Sequence, residues 1–498
     1  MRSVLRGVAS NPDAYLMLNV RAIHAARVWR RTEWVGRMGP SVAGAPVVIA
    51  PLAAAIIGGL LLAVAYPGIL QYLLAALALW ALCGSVQTIQ ALSLSVLITF
   101  LNPAIVPAAS SLILLKWTVF GTATFRLLLS KDLWRRGKLR WATPLACLGA
   151  VALASSFDGG SFNSLSLLKL TAFVVGFSVI FSSLDQSKRP PQYWVDWFFT
   201  LHSAVLLASI PLLLLPAGRA RNGVAFQGVF EHPQAFGVYL AFFTAYITAS
   251  WFCGNRQRHF TLMTIPVGWS FVAFSACRTA VIAMLLAVAA TAMTIAFTRR
   301  DLIAGTRSRG VRQVLLLLLC CLVMISVALF SHEAIAGVAS FFRKGSEVTE
   351  SGSTVPYQIF SAARGELMGR RMETFHQHPW LGGGFGLASY GVDQDVLKSD
   401  TLGIPVSAAV EDGFLITAVL GQTGLLGLLS TALLVGCIGR RVLRRGSAPV
   451  IILFFTALLV NLGEMIFFSI GGMGSQMWMI VAFCYGSLSV PDHSRRLR

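Results

Sequence analysis

The stretch HQHPWLGGGFG, residues 376–386, lies inside a polar segment, residues 331–424, that interrupts an otherwise hydrophobic chain. Nearly continuous apolar sequence precedes this segment, and further apolar runs follow it. Irregular backbone is not stable against lipid, so a long polar segment between apolar runs lies outside the hydrocarbon or lines a cavity. Connecting segments of this kind often carry functional residues. We therefore expect the chemistry here and a membrane scaffold in the rest of the chain.

Composition indicates a membrane protein. Of 498 residues, 56% are hydrophobic and only 12% are charged, whereas soluble domains carry about 25% charged residues. Repeated apolar runs of about 17–22 residues match the thickness of the hydrocarbon core. The sequence predicts an all-α, polytopic transmembrane bundle of about fourteen spans. The predicted spans are residues 46–66, 68–84, 88–106, 109–129, 141–157, 166–184, 194–216, 235–253, 259–276, 279–297, 312–331, 412–435, 449–467 and 472–489.

The net charge of +20 is interpreted as a topology signal. With the N-terminus in the cytoplasm, 28 of the 40 Lys and Arg residues fall on the cytoplasmic side of these spans, as the positive-inside rule requires. We therefore expect no nucleic-acid partner, and an inner-membrane location with the polar segment facing the periplasm. The predicted organisation is a basic cytoplasmic segment 1–45, a transmembrane bundle 46–331, a periplasmic loop with short helices 332–411, C-terminal transmembrane helices 412–489 and a cytoplasmic tail 490–498.

No metal or cofactor is predicted. The eight Cys residues have no metal-site spacing and are interpreted as small packing residues. Asp393 and Asp395 match the DxD pattern of metal-dependent sugar-nucleotide transferases, but they lie on the side where nucleotide sugars are absent, so chance is the better explanation. The glycines of residues 382–386 lack the Lys and the strand–helix context of a phosphate-binding P-loop.

Four cations stand apart from the cytoplasmic clusters, in the outer half of the predicted bundle. They are Lys116, Lys169, Arg221 and Arg278. Ionisable groups within spans are costly and usually face a bundle interior or a water-filled cavity, although Lys169 and Arg278 are near enough to an interface to snorkel. Cations without a matching carboxylate cluster predict an anionic ligand, most simply a phosphate or diphosphate headgroup.

Several short motifs carry a family resemblance. They are GVFEHPQ at 228–234, SACRTA at 275–280, RGELM at 364–368 with HPWLGGGFG at 378–386, and EDGFL at 411–415 with GQTGLLG at 421–427. In order and spacing, over about residues 220–470, they resemble the bacterial O-antigen ligase and polysaccharide polymerase (Wzy-like) superfamily. One departure is Ala225, which stands where the family often has a basic residue; Arg221 or Arg219 would take its place.

The resemblance implies a metal-independent, membrane-embedded glycosyltransferase with a GT-C-like bundle. Its donor would be a glycan on undecaprenyl diphosphate, and its acceptor another lipid-linked repeat or lipid A–core. Arg278 and Arg364 would hold the diphosphate leaving group. The implied partners are the lipid bilayer and the flippase and chain-length regulator of a polysaccharide export system. These roles make the protein a candidate for exopolysaccharide or lipopolysaccharide biosynthesis.

The general base is less sharply indicated. The ligase branch usually has a His where this chain has Glu411, so Glu411 and Asp412 are candidate catalytic carboxylates. Helix capping is the alternative role for both. His232, His378 and Glu464 are further candidates, with His378 before Pro better explained as structural.

Three functions are therefore weighed. The missing His favours a polymerase over an O-antigen ligase. A transporter or flippase of lipid-linked oligosaccharide would also need a cationic cavity. It should, however, have access to both sides and show paired broken helices, and the sequence indicates neither.

Overall fold

The computed structural model describes most of the hydrophobic chain and part of the polar segment. The described residues are 57–59, 61–107, 112–130, 141–157, 163–221, 223, 225–252, 259–298, 365–388, 396–398, 405–408 and 413–486. The predicted segment 1–45, the predicted span 312–331 and the tail 490–498 lie outside them, as do most of the span 46–66 and most of the loop 332–411.

The described chain is helical apart from one short antiparallel sheet. Its helices are α1 (Ile69–Leu82), α2 (Ser85–Thr99), α3 (Ile113–Leu129), α4 (Ala142–Ser155), α5 (Ser164–Gln186), α6 (Pro191–Ser209), α7 (Pro233–Phe252), α8 (His259–Phe274), α9 (Arg278–Thr298), α10 (Glu366–Gln377), α11 (Leu415–Arg445), α12 (Ala448–Leu459) and α13 (Met473–Gly486), with strands β1 (Val396–Lys398) and β2 (Pro405–Ala408). Short 3-10 turns follow α6 and α12.

Local sequence explains several helix starts. The Asn163 side chain accepts hydrogen bonds from the amides of Leu165 and Ser166 and so caps α5. Pro191 opens α6 and Pro449 lies in the first turn of α12. The missing amide hydrogen of proline costs nothing in a first turn, because amides there have no partner within the helix.

Helix α13 lies at the centre of the bundle. Every residue from Met473 to Tyr485 is buried, as expected of a helix that is hydrophobic all round. It packs against α2, α5 and α12. Its Trp478 meets the ring of Phe177 with centroids 4.7 Å apart, and Phe177 stacks on Phe181 one turn later at 4.2 Å. These aromatic contacts join α5 to the centre.

Four of the described helical stretches are long and apolar enough to cross a membrane. They are Ser164–Gln186, Pro191–Leu213, Arg278–Ile295 and Leu415–Arg445. Large apolar side chains such as Leu79, Leu129 and Phe297 are exposed on the outside of the bundle. These features agree with a multi-pass membrane protein.

Among the described residues, the helices α1 to α9 and α11 to α13 lie at twelve of the fourteen predicted spans, and residues 57–59 and 61–65 of the span 46–66 are helical as well. The described residues do not establish that each of them crosses the membrane, so the number of spans stays a prediction. Two predicted spans end early: α2 stops at Thr99 rather than 106, and α12 with its 3-10 turn stops at Leu462 rather than 467. The side-chain oxygen of Asn461 accepts from the amide of Ile466 and turns the chain there.

The sequence did not predict the small sheet. Strands β1 and β2 pair with Val396 opposite Ala408 and Leu397 opposite Ser407. Strand β2 also contacts α3, the helix that carries Lys116. The polar segment therefore returns to the helical bundle near one of the predicted intramembrane cations.

Candidate functional site

Helix α11 is broken at Gly424, and residues 379–387 of the polar segment, here named the docked loop, enter the break. Gly424 has φ 63° and ψ −162°, a conformation open essentially to glycine alone. The amide of Leu425, just after the break, donates to the Pro379 carbonyl oxygen at 2.9 Å. The docked loop thus supplies acceptors for a helix start that has none of its own.

The docked loop also provides hydrogen-bond donors for the last carbonyl groups before the break in α11. Its Gly421 and Gln422 carbonyl oxygens accept from the amides of Gly383 and Gly384, at 2.8 and 3.1 Å. Backbones approach so closely here that a Cβ on Gly382, which has φ +71°, would lie 2.4 Å from the Gln422 carbonyl carbon. The glycine run of residues 382–384 therefore forms a packed backbone interface with α11.

Three polar side chains, here named the loop anchor, hold the end of the docked loop. The Lys169 ammonium donates to the Gly386 carbonyl oxygen at 2.5 Å, and Arg371 Nη2 donates to the Leu387 carbonyl oxygen at 2.9 Å. The Gly386 amide in turn donates to Gln422 Oε1 at 3.0 Å. Helices α5, α10 and α11 therefore converge on two consecutive residues, Gly386 and Leu387.

Buried hydroxyls extend this network into α4 and α5. Ser155 Oγ donates to the Gln422 carbonyl oxygen at 2.6 Å, and Ser166 Oγ donates to the Phe385 carbonyl oxygen at 2.7 Å. Ser156 and Ser166 share a hydrogen bond between their hydroxyls. Buried polar groups are stable only when they are paired, and this network pairs the carbonyls of both interrupted backbones.

Arg371 is the most deeply buried cation among the described residues of the polar segment. Its side chain is only 2% exposed, and burial lowers the pKa of its guanidinium to about 10. It lies close enough to the half-buried Lys169 for the two charges to interact. A cation kept in this position creates a positive field at the mouth of the docked loop.

A second group of charges, here named the charge cluster, comprises Lys116, Arg221 and Glu231. The carboxylate of Glu231 experiences the charges of both Arg221 and Lys116. Lys116, on α3, is 9% exposed and donates to the Gly471 carbonyl oxygen at 2.6 Å. The structure thus brings together two of the predicted anion-binding cations and adds a carboxylate.

Non-helical backbone positions Glu231. Asn102 follows the end of α2 and is only 1% exposed. Its amide donates to the Val229 carbonyl oxygen at 2.8 Å, and its side-chain nitrogen donates to the Ala217 carbonyl oxygen at 2.7 Å. The Glu231 amide donates to the Phe100 carbonyl oxygen at 2.8 Å. The segment before α7 is therefore clamped against the end of α2.

Glu231 has an altered proton affinity. Burial raises the pKa of its carboxyl group, and the charges of Arg221 and Lys116 act in the opposite direction. Arg221 is exposed and Glu231 is half-buried. The charge cluster can therefore be reached from one side of the bundle.

The two groups of charges are connected by residues 463–472, a non-helical segment between α12 and α13 that is here named the connecting segment. Its Gly471 carbonyl oxygen accepts from Lys116. Its Phe468 ring meets the ring of Phe385 in the docked loop with centroids 4.8 Å apart. The charge cluster and the loop anchor therefore border the same irregular segment, where peptide groups are available for polar contacts.

Arg278 is the first residue of α9 and is half-buried. The turn before it contains Ala276 at φ 50°, an uncommon conformation for a residue with a Cβ. The next residue, Thr279, packs on Gly463, where an added Cβ would lie 2.2 Å from Thr279 Oγ1. The residue that follows Arg278 therefore contacts the connecting segment, which places the start of α9 beside that segment.

The remaining described candidates have visible structural contacts. His232 Nδ1 accepts from the Gln234 amide at 3.1 Å and so caps α7. His378 ends α10, with its carbonyl oxygen accepting from the Gly382 amide. Glu464 is half-buried in the connecting segment. These contacts favour a structural role for both histidines.

The predicted catalytic residues Arg364, Glu411 and Asp412 lie outside the described residues. Their neighbours Gly365, before α10, and Gly413, before α11, are described. The assignment of Glu411 or Asp412 as the general base therefore stays a prediction.

Three residues of the site were missed by sequence reasoning. Arg371 lies three residues before Thr374, and both are buried, so the pairing of an Arg with a Thr on one face of a short helix was the available signal. Gln422 is inside the GQTGLLG motif and Glu231 inside GVFEHPQ. Both motifs were recognised in the sequence, but no pattern indicated which of their polar residues belongs to the site.

No group of three or more His, Cys, Asp and Glu that could hold a metal ion occurs among the described residues. Metal independence stays a prediction, since Asp393 and Asp395 lie outside that part of the chain.

The chain matches no protein-family model, and no curated protein matches it. The likeness to polysaccharide polymerases and ligases therefore rests on the motifs alone.

Proposed function

We propose that the protein is a membrane-embedded glycosyltransferase that polymerises polysaccharide repeat units carried on undecaprenyl diphosphate. The observation that carries the proposal is the placement of cations beside the non-helical segments of the bundle. Members of this set come from five separate parts of the chain: Lys116, Lys169, Arg221, Arg278 and Arg371. A lipid diphosphate matches this arrangement, because its charge lies at the membrane surface and its chain lies in the hydrocarbon.

The proposed reaction is a displacement at the anomeric carbon of the donor sugar. An acceptor hydroxyl forms a new bond to that carbon while the bond from the carbon to the diphosphate oxygen breaks. The diphosphate leaves with the electron pair, and Arg364 and Arg278 stabilise its charge. The acceptor proton passes to Glu411 or Asp412. No metal ion takes part in this proposal.

The O-antigen ligase alternative uses the same donor but transfers the glycan to lipid A–core. The ligase branch usually has a His at the start of the helix after the loop, where this chain has Glu411. This difference favours the polymerase.

A transporter of lipid-linked oligosaccharide is the second candidate, and one observation favours it. Helix α11 is discontinuous at Gly424, and discontinuous helices line the substrate sites of many transporters. In this chain, however, the break is filled by the docked loop through direct backbone hydrogen bonds. A filled break supports a fixed scaffold rather than a moving gate.

Purified full-length protein separates the three functions. With an undecaprenyl-diphosphate-linked repeat as the sole substrate, in detergent with a chelator and without ATP, a polymerase produces a ladder of longer lipid-linked glycans. A ligase produces none until lipid A–core is added. Passage of the lipid-linked glycan across proteoliposome membranes, with no glycan joined in either assay, would replace the enzyme proposal with the transporter.

Two cations provide the first variants. Replacement of Arg278 or Arg364 with Ala removes stabilisation of the leaving diphosphate, and the turnover is expected to fall about 10²–10³-fold. Lys should restore little activity, because the bidentate guanidinium contact is lost. Normal turnover of a correctly inserted Arg364→Ala protein would contradict its proposed role.

The base is tested separately. Glu411→Gln keeps the shape and some capping ability but cannot accept a proton at neutral pH. If Glu411 is the base, turnover collapses while donor binding persists. Turnover close to that of the unmodified enzyme would assign Glu411 to helix capping and leave Asp412 as the candidate.

A further inference from the structure

The charge cluster differs from the loop anchor in its composition. Lys169 in the loop anchor experiences the charge of another cation, Arg371. Lys116 in the charge cluster experiences the charge of a carboxylate, Glu231, which also experiences the charge of Arg221. An anion that approaches Lys116 and Arg221 therefore meets a resident negative charge.

The Lys116 ammonium donates its hydrogen bond to a backbone carbonyl rather than to the Glu231 carboxylate. Among the described residues, the hydrogen-bond acceptor of Lys116 Nζ is the Gly471 carbonyl oxygen, at 2.6 Å. An ammonium has three donors, so the bond to Gly471 does not use them all; the centroid of the Trp117 ring lies 5.6 Å from the same ammonium. Arg221 is exposed, and its guanidinium suits a phosphate through its planar fork.

Glu231 is also held by its backbone. Its amide donates to the Phe100 carbonyl oxygen, and the preceding residue, Phe230, pairs with Leu101 in an antiparallel bridge. The Phe230 ring stacks on Phe100 with centroids 6.1 Å apart. With its main chain fixed on α2, Glu231 can move its carboxylate away from an incoming anion only by rotating its side chain.

We propose that Lys116 and Arg221 bind the diphosphate group of a lipid-linked substrate and that Glu231 is the counter-ion against which this group binds. The carboxylate weakens the binding of the diphosphate and so promotes its release after glycosyl transfer. Glu231 is in this sense a residue that sets the affinity for the diphosphate. The motif resemblance assigns it no role, and the predicted catalytic carboxylates were Glu411 and Asp412. The inference rests on the proposed function for the identity of the anionic group and for the release step.

The physical basis is the range of the Coulomb interaction. Charges several ångströms apart near a protein surface still interact by more than the thermal energy, because the effective dielectric constant there is about 20. A carboxylate beside a bound diphosphate, which carries several negative charges, opposes its binding. A neutral side chain of the same shape does not.

The test is equilibrium binding of inorganic diphosphate to the purified full-length protein in detergent, at constant ionic strength. Glu231→Gln should tighten binding about ten-fold, and Arg221→Gln should weaken it by about the same factor. Glu373→Gln and Arg370→Gln are the matched controls, since they change the net charge equally at exposed positions of α10. They should bind like the unmodified protein.

Every outcome decides the question. Weaker binding by Glu231→Gln would show that the carboxylate holds the two cations in place, and unchanged binding would show that diphosphate binds elsewhere; either result overturns the inference. If Glu231→Gln does not yield monodisperse protein, Glu231→Ala removes the same charge and should shift affinity in the same direction. Tighter binding by Glu231→Gln with no glycan joining by the unmodified protein would leave the diphosphate site and its counter-ion standing, and would reject the proposed enzyme together with the release step.

Discussion

At the scale of single residues, two neighbouring arginines show how burial separates roles. Arg370 is exposed and Arg371 is 2% exposed, one position later on the same short helix. Arg371 Nη2 donates to the Leu387 carbonyl oxygen and closes the end of the docked loop. A buried guanidinium is costly unless its hydrogen bonds are made, so this contact explains why an arginine is tolerated there.

The two arginines form a matched pair of variants. Arg371→Ala leaves a cavity and unpairs the Leu387 carbonyl, and it should lower the free energy of unfolding by about 3 kcal/mol. Arg370→Ala should change it by less than about 0.5 kcal/mol. Thermal unfolding of both proteins in the same detergent measures the difference. Equal stability of the two variants would contradict the anchoring role of Arg371.

At the scale of elements, the break in α11 is the feature that joins the polar segment to the bundle. The helix is interrupted because Gly424 adopts a backbone conformation closed to other residues. A Cβ at this position would lie 2.3 Å from the Trp380 carbonyl carbon. The helix and the docked loop therefore depend on the same glycine.

Alanine substitution in α11 tests this dependence. Gly424→Ala should expel the docked loop, lower the free energy of unfolding by at least about 2 kcal/mol and reduce glycan transfer. Gly436→Ala, in the same helix with nothing within 4 Å of an added Cβ, should be neutral or stabilising by up to about 1 kcal/mol. Limited proteolysis of the segment around Trp380 would report release of the loop. Resistance of Gly424→Ala to cleavage would show that the loop does not need the break.

At the scale of the whole molecule, distant parts of the chain meet at irregular backbone rather than at helix faces. The end of α2 and the segment before α7 contact each other through peptide groups, and the connecting segment before α13 accepts a hydrogen bond from Lys116 of α3. The bundle supports these segments because α13 is buried on all sides. We interpret the apolar helices as the support and the irregular segments as the site.

The orientation of this assembly gives a prediction about topology. Because most Lys and Arg residues fall on one side of the predicted spans, reporters fused after Lys398 and after Arg444 should report opposite sides of the membrane. Lys398 ends β1 in the polar segment, and Arg444 lies in the last turn of α11. A cytoplasmic signal from both fusions would remove the periplasmic placement and, with it, the proposed lipid-linked donor.

Sequence alone located the apolar helices among the described residues, because apolar runs of span length have one stable backbone form in lipid. It also identified Lys116, Lys169 and Arg278 as unusual, since a charge within an apolar run is costly wherever the run is placed. The motif GQTGLLG was noticed, but Gly424 looks like any other helical glycine until its partner is known. Helix α2 was likewise predicted too long, because the apolar residues after Thr99 fit a helix as well as a turn.

Only the tertiary structure decided which polar groups meet. Lys116 and Gly471 are 355 positions apart, and Lys169 and Gly386 are 217 apart; no local pattern encodes such pairs. The same holds for the docked loop, whose glycines are compatible with a flexible turn until α11 opens to receive them. The physical reason is that hydropathy depends on each residue and its near neighbours, whereas a hydrogen bond between irregular segments depends on where the whole bundle places them.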